Sequence, residues 1–157
     1  GYVSSQHVGD TSALTVFEPF VQMLMKHRIV HDFAAALVAH RLFERFPALR
    51  IAYIENGADW VPPLLHSLKV LHAQNPTMFQ TSPVDQFIEN CWVAPFVEDS
   101  VEELAHHLPV ERILFGSDWP HAEGIAQPRD FLAKVTSFSA EDQRRIMFDN
   151  AHHLTFS

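Results

Sequence analysis

Short apolar runs alternate with longer amphipathic stretches along the chain. A short apolar run is typical of a strand that helices cover on both faces, whereas apolar positions at i, i+3 and i+4 indicate one face of a helix. The runs predict four strands, at residues 2–8, 49–54, 90–94 and 112–115. Because a helix is predicted after each strand, the pattern favours an α/β fold with parallel strands and right-handed crossover connections.

The predicted helices are bounded by prolines and capping residues. They are expected at residues 13–46 in two parts, with a break near residues 28–31, and at residues 60–72, 84–89, 101–107, 128–135 and 139–154. Asp59 is the predicted N-cap of the second of these stretches, and residues 98–100 are predicted to cap the helix that ends at 107. Ser139 with Asp142 three residues later forms a capping box at the start of the last helix.

Composition narrows the class of protein. The chain has 157 residues, of which 47% are hydrophobic, and this predicts a single domain over residues 1–157. A formal net charge of -8 argues against nucleic acid or an anionic membrane as a partner. There is neither a long apolar window nor a visible signal peptide, and the single cysteine, Cys91, excludes an internal disulfide. These features favour a cytoplasmic protein.

Polar side chains follow three of the predicted strands. His7 lies at the end of the first strand, Glu55 at the end of the second and Asp118 at the end of the fourth. The carboxyl ends of parallel strands share one rim, so these residues are predicted to converge there. One imidazole and two carboxylates suit Zn²⁺, with Mn²⁺ or Fe²⁺ as other candidates. His121, three residues after Asp118, is a candidate proton shuttle or a partner of a ligand.

Each candidate also has a structural interpretation. Asp118 could be a turn or N-cap aspartate after a buried strand, and His121 could only hydrogen-bond its loop. Glu55 could pair with Arg50 or cap the turn that follows it. His7 lies close to the start of the sequence, where side chains are often poorly ordered.

Other reactive side chains carry weaker signals. His27 and His31 have the i, i+4 spacing of a helical metal pair, but they flank the predicted helix break. Cys91 lies within a predicted strand, where a free cysteine is usually a buried small hydrophobe. Ser117 lacks the Gly-x-Ser-x-Gly pattern of a serine hydrolase. Phe96, Trp119 and Trp60 are candidate apolar walls of a substrate site, although packing in the core is the commoner role of such rings.

Residues 114–121, Leu-Phe-Gly-Ser-Asp-Trp-Pro-His, resemble the last-strand motif of the amidohydrolase-related superfamily. The resemblance is to the branch that includes aromatic-acid decarboxylases. Residues 46–51 and 54–57 resemble the sixth-strand region of that family, and residues 149–151 resemble its closing helix. The family has a TIM-like (β/α)₈ barrel of about 250 residues or more, so the resemblance implies a partial barrel whose four strands match the fifth to the eighth.

The resemblance also implies roles for the strand-end residues. Asp118 matches the aspartate that binds metal or accepts a proton, and His7 matches the fifth-strand metal histidine. Glu55 stands where many members carry histidine, which is a departure from the family pattern. The implied function is metal-dependent hydrolysis or non-oxidative decarboxylation of a small aromatic or carboxylated substrate, with Asp118, Glu55 and His121 as catalytic residues.

The second function hypothesis is non-enzymatic. The first strand of the family supplies a further pair of ligands, commonly His-x-His or an acidic variant, and no His-x-His occurs in this sequence. A truncated relative could keep the fold and serve as a binding or assembly unit. A half barrel is expected to leave two open sheet edges and an uncovered inner face, so the chain is predicted to form a homo-oligomer or to be part of a longer protein.

Overall fold

The computed structural model describes residues 19–121 and 124–156. The predicted first strand, residues 2–8, and with it His7, lies outside these ranges. The elements are α1 (Pro19–Ala39), α2 (Leu42–Arg45), β1 (Ile51–Tyr53), α3 (Val61–Gln74), α4 (Pro83–Asn90), β2 (Cys91–Val93), α5 (Val101–Ala105), 3-10 helices at Val110–Arg112 and Pro128–Val135, α6 (Ala140–Arg144), a π-helical turn (Arg145–Asp149) and α7 (Asn150–Phe156). Within the described ranges, no helix is long and apolar enough to cross a membrane.

A small parallel sheet holds the predicted second, third and fourth strands side by side. β1 pairs with β2 in the register Ile51↔Cys91 to Tyr53↔Val93, and a single parallel bridge joins Val93 to Ile113. The α/β class and the parallel direction are therefore confirmed. The predicted fourth strand is reduced to that bridge, because a 3-10 helix occupies Val110–Arg112 immediately before it. Four strands are not seen in the described part of the chain.

The main hydrophobic core lies between the sheet and the helices. Tyr53 of β1, Trp60 and Phe87 pack ring against ring, with centroids 4.7 to 6.1 Å apart. Cys91 and Val93 of β2 belong to the same core, as their two-residue spacing on a strand requires. Trp60 is 2% exposed, so it belongs to the core, and its predicted role as a wall of the substrate site is wrong.

A second, smaller apolar cluster covers the opposite face of the sheet. Trp92, Ala94 and Leu114 form it, and Leu154 of α7 packs against them. Trp92 alternates with Cys91 and therefore points away from the main core. The guanidinium of Arg112 lies 4.3 Å from the centroid of the Trp92 ring. α7 thus covers the face of the sheet opposite the main core.

The helix starts show which capping predictions succeed. The hydroxyl of Ser100 accepts the N–H of Glu103, and that of Ser139 accepts the N–H of Asp142, as predicted. Asp59 does not cap a helix, because α3 begins at Val61 after Trp60, which makes no side-chain cap bond. Two prolines in the first turn of α3 stabilise this start instead, since proline is pre-organised for the first helical positions.

The predicted helix break at residues 28–31 is wrong. α1 is continuous from Pro19 to Ala39, and the chain bends only at Arg41, which has a left-handed conformation with φ of 54°. Residues 28–31 contain neither glycine nor proline, and Val30 is buried in the core, so packing stabilises the helix through them. The predicted α-helix at residues 128–135 is a 3-10 helix.

The π-helical turn and α7, together called the C-terminal helix, cover the sheet edge formed by residues 112–115. The prediction of an open edge is therefore wrong on this side of the sheet. Leu114 N–H donates to Val93 O on the side of β2. The main-chain groups of Ile113 and Phe115 are therefore available for hydrogen bonds on the side away from β2. There, Phe115 N–H donates to Ile146 O at 3.0 Å, and Asn150 Nδ2–H donates to Ile113 O at 2.8 Å. Asn150 N–H bonds to Arg145 O in the π-helical turn, and this leaves Ile146 O free to accept from Phe115.

We expect Asn150→Ala to lower the free energy of unfolding by about 1 to 3 kcal/mol, because it removes the side-chain donor to the buried carbonyl of Ile113 and one of the two hydrogen bonds to the carbonyl of Val110. Urea denaturation measures the change. Asn75→Ala is the matched control, because Asn75 also donates to a main-chain carbonyl but is exposed, and we expect it to cost less than about 0.5 kcal/mol. Equal losses in the two variants would contradict the edge-closing role of Asn150.

We expect the Cys91 thiol to be unreactive in the folded chain. The residue is fully buried, and this burial raises the pKa of its thiol from 9.0 to about 12. An aromatic disulfide reagent at pH 8 should therefore label Cys91 slowly in buffer and rapidly in denaturant. The unfolded thiol ionises first, so its contribution to stability is present below pH 9 and is lost as the pH rises towards 12. Rapid labelling without denaturant would show that β2 opens readily.

Candidate metal centre

A cleft of about 620 Å³ opens at the carboxyl ends of the three paired segments. The residues that follow β1, β2 and the Ile113 bridge line it: Ile54, Glu55, Ala94, Pro95, Phe96, Val97, Glu98, Gly116, Ser117, Asp118, Trp119, His121 and Gly124. The position agrees with the general rule that ligands bind outside the carboxyl ends of parallel strands. Phe96 and Trp119, two of the predicted apolar walls, both lie here.

Three of the four predicted site residues meet in this cleft. Glu55, Asp118 and His121 each offer one ligand atom, and these atoms all lie within 4.8 Å of one another. Within residues 19–121 and 124–156, these three side chains form the group of histidine and acidic residues that is close enough together to bind one metal ion. His121 Nδ1 is 2.9 Å from Asp118 Oδ1, with the imidazole more exposed than the carboxylate. The fourth predicted residue, His7, lies outside the described ranges.

Both carboxylates stand on backbone that an L-residue seldom adopts. Glu55 has φ of 59° and Asp118 has φ of 53°, in the left-handed region. This conformation costs about 1 kcal/mol at each position and persists only where neighbouring contacts hold it. Glu55 comes shortly after β1 and Asp118 follows the Ile113 bridge by one short loop, and both residues line the cleft.

A tight loop holds Asp118. Ile125 N–H donates to Ser117 O at 2.7 Å, and His121 N–H donates to Asp118 O at 2.9 Å. Gly124 lies against this turn so closely that a Cβ atom there would clash with Asp118 O. Only glycine fits at position 124, because it has no Cβ atom. The tight loop that results holds His121 beside Asp118.

The donor set fits a divalent cation. Carboxylate oxygens and an imidazole nitrogen together are ligands for Zn²⁺, Mn²⁺ and Fe²⁺. Asp118 and His121 are also arranged as a carboxylate–imidazole pair, the contact that commonly orients a metal ligand. The cleft therefore has the chemistry of one side of a metal site.

Sequence reasoning missed the role of Asp99 in this region. The residue was predicted to help cap α5, but Ser100 performs that capping alone. Asp99 Oδ2 instead accepts the N–H of Ala58 and the N–H of Phe96, both at 2.8 Å. No local pattern reveals this, because Ala58 is distant in sequence and only the pairing of β1 with β2 brings it near.

Of the remaining reactive candidates, the two histidines of α1 and Cys91 lie away from the cleft. His27 and His31 share one uninterrupted helix, α1, and neither lines the cleft. Cys91 begins β2 at the opposite end of the strand from the cleft and is buried in the main core. Ser117 does line the cleft, but its hydroxyl accepts the N–H of Trp119.

Comparison with known proteins gives a consistent set of relatives. The family model described as Amidohydrolase matches residues 2–154. An amidohydrolase from Mycobacterium avium subsp. paratuberculosis K-10 is 44% identical with a TM-score of 0.83, over 87% of this chain and 36% of that one. A dihydroxybenzoic acid decarboxylase from Polaromonas sp. JS666, solved with manganese and the inhibitor 2-nitroresorcinol, is 25% identical with a TM-score of 0.61, over 82% of this chain and 40% of that one.

No curated protein matches the chain. The chain spans 36% and 40% of the length of the two solved structures, so it corresponds to part of their fold. The resemblance found in residues 114–121 and 46–57 is confirmed, including its relation to aromatic-acid decarboxylases. The chain belongs to the amidohydrolase family.

Proposed function

We propose that this chain supplies one side of a metal-dependent amidohydrolase site, which acts on a small aromatic or carboxylated substrate by hydrolysis or non-oxidative decarboxylation. The observation that carries the proposal is the convergence of Glu55, Asp118 and His121, whose ligand atoms lie within 4.8 Å of one another at the carboxyl ends of the sheet. The manganese-containing decarboxylase among the relatives supports the same chemistry.

A divalent metal would be held by Asp118 and Glu55 together with His7. Zn²⁺ is our first expectation, and Mn²⁺ and Fe²⁺ suit the same donors. When bound, such an ion polarises a carbonyl or carboxylate of the substrate and acidifies a coordinated water. The carboxylates of Glu55 and Asp118 also neutralise the charge of the ion, which permits its binding in a partly desolvated cleft.

We assign His121 the transfer of a proton between the cleft and water. Its Nδ1 contacts Asp118 Oδ1 at 2.9 Å, and 58% of its side chain is exposed. Asp118 can therefore orient the imidazole while the rest of the ring stays open to solvent. Glu55 differs from the histidine common at its position, because an ionised carboxylate only accepts hydrogen bonds, and we assign it as ligand or proton acceptor.

The cleft offers a flat apolar surface beside these polar groups. Trp119 is 63% exposed and lines the cleft, as does Phe96. Aromatic side chains next to a small polar constellation are typical of sites that bind small planar molecules. These two rings support an aromatic substrate.

The alternative function is a non-catalytic binding or assembly unit. The chain covers 36% and 40% of the length of the two solved relatives, and the sequence contains no His-x-His, the form in which the family commonly supplies first-strand ligands. On our proposal these ligands come from a second copy or from further sequence of a longer protein. The two functions are distinguished first by whether the cleft residues bind a metal and then by whether a product forms.

We expect the chain to bind Mn²⁺ and Asp118→Asn to weaken that binding by at least about 10- to 100-fold, since even partners of ligands have effects of this size. Isothermal titration calorimetry or electron paramagnetic resonance measures the affinity. Asp130→Asn is the control, because Asp130 is exposed outside the cleft. Equal affinities for the parent and Asp118→Asn would refute the metal centre.

The reaction is then assigned by its product. With metal bound and all ligands present, a decarboxylase releases CO₂ from an aromatic carboxylic acid, whereas a hydrolase releases acid from an amide or ester. Metal binding without either product would favour the assembly role.

A further inference from the structure

One carboxylate joins the loops that follow β1 and β2. Asp99 Oδ2 accepts the N–H of Ala58, in the first loop, and the N–H of Phe96, in the second, both at 2.8 Å. We call this four-residue arrangement of Gly57, Ala58, Phe96 and Asp99 the interloop contact. It lies immediately behind the cleft, since Glu55 on one loop and Phe96 on the other both line it.

Gly57 is shaped to this contact. Its φ is 64°, and a Cβ atom there would lie 2.7 Å from Phe96 Cδ2 and 3.2 Å from Asp99 Oδ2. Its carbonyl accepts the indole N–H of Trp60 at 2.9 Å, and Trp60 is anchored in the main core. The segment after Glu55 is therefore held by the core on one side and by Asp99 on the other.

The interloop contact bears directly on Glu55. On its N-terminal side the residue is fixed by β1, where Tyr53 O accepts the N–H of Ala94. On its C-terminal side the nearest tertiary hydrogen bonds are those of Gly57 and Ala58. Between these two anchors Glu55 has a left-handed conformation, which in general persists only where neighbouring contacts hold it.

We propose that Asp99 is a positioning residue that holds the Glu55 carboxylate beside Asp118 and His121; this inference rests on the proposed function of the cleft as a metal centre. Without Asp99, Ala58 N–H loses its acceptor and the loop after β1 is free to relax. Glu55 then returns to an ordinary backbone conformation, which turns its carboxylate away from Asp118. A hydrogen bond from N–H to a carboxylate is stronger than one to a neutral acceptor, which suits a contact that must hold strained backbone.

The test is a double-mutant cycle on Mn²⁺ affinity in the 157-residue chain, with Asp99→Ala, Glu55→Gln and both together. We expect Asp99→Ala alone to weaken Mn²⁺ binding by about 10- to 100-fold. In the Glu55→Gln background the same change should alter the affinity by less than about twofold, because the residue through which Asp99 acts is already impaired.

Two further variants separate positioning from general destabilisation. Asp99→Asn keeps an oxygen that can accept both N–H groups, so it should fold normally and weaken binding less than Asp99→Ala does. Asp59→Ala is the matched control, because Asp59 is an exposed carboxylate next to Ala58, and its Mn²⁺ affinity should equal that of the parent.

Amide hydrogen exchange gives a readout that needs no metal. The amides of Ala58 and Phe96 should exchange faster in Asp99→Ala than in the parent chain, while those of the distant helix α6 stay unchanged. Unchanged exchange at Ala58 and Phe96, or an equal loss of Mn²⁺ affinity with and without Glu55, would overturn the positioning role while leaving the metal centre intact. If the parent chain bound no Mn²⁺, the metal centre and the positioning role would both be wrong.

Discussion

Parallel pairing on both sides of β2 is the constraint on which the cleft depends. Val93 lies between Tyr53 and Ile113, and its carbonyl accepts the N–H of Leu114. Because all three segments run in the same direction, the residues that leave them must emerge at one end. Glu55 and Asp118, which are far apart in sequence, reach the same end of the sheet for this reason. The loops then turn the two carboxylates towards each other across the end of β2.

The C-terminal helix supports this arrangement from the far side of the sheet. In its π-helical turn, Ile146 O accepts the N–H of Phe115, and the Asn150 side chain donates to Ile113 O. Leu154 packs against Trp92 and Leu114. An unpaired edge in a sheet this small would expose main-chain groups to water and to other chains. The helix thus lets a single bridge, rather than a full strand, place Asp118. Any further polypeptide that completes the site must dock without displacing these contacts, or must replace them with strand pairing.

Sequence reasoning succeeded where the information was local. The apolar runs at residues 49–54 and 90–94 predict strands, because a strand that is buried on both faces is apolar throughout. The acidic residues that follow these runs predict a functional site at the carboxyl ends of the strands. It failed where distant contacts decide the outcome. The helix continues through residues 28–31 because Val30 is buried, and Asp99 bonds to Ala58 rather than capping α5. The closing of the edge by Ile146 could not be read from its own segment either, since it depends on a main-chain group of Phe115.

The two carboxylates of the cleft are held in the same backbone conformation by different means. Asp118 is fixed by main-chain hydrogen bonds within its own loop and by the close approach of Gly124, so its placement depends on sequence nearby. Glu55 is fixed from another loop, through the side chain of Asp99 and through a core tryptophan. Two independent supports mean that a change in one loop need not move the other carboxylate. A relative could therefore exchange the residue at position 55, and with it the chemistry offered to the metal, while Asp118 and His121 keep their geometry. The glutamate that stands here in place of histidine is consistent with that freedom.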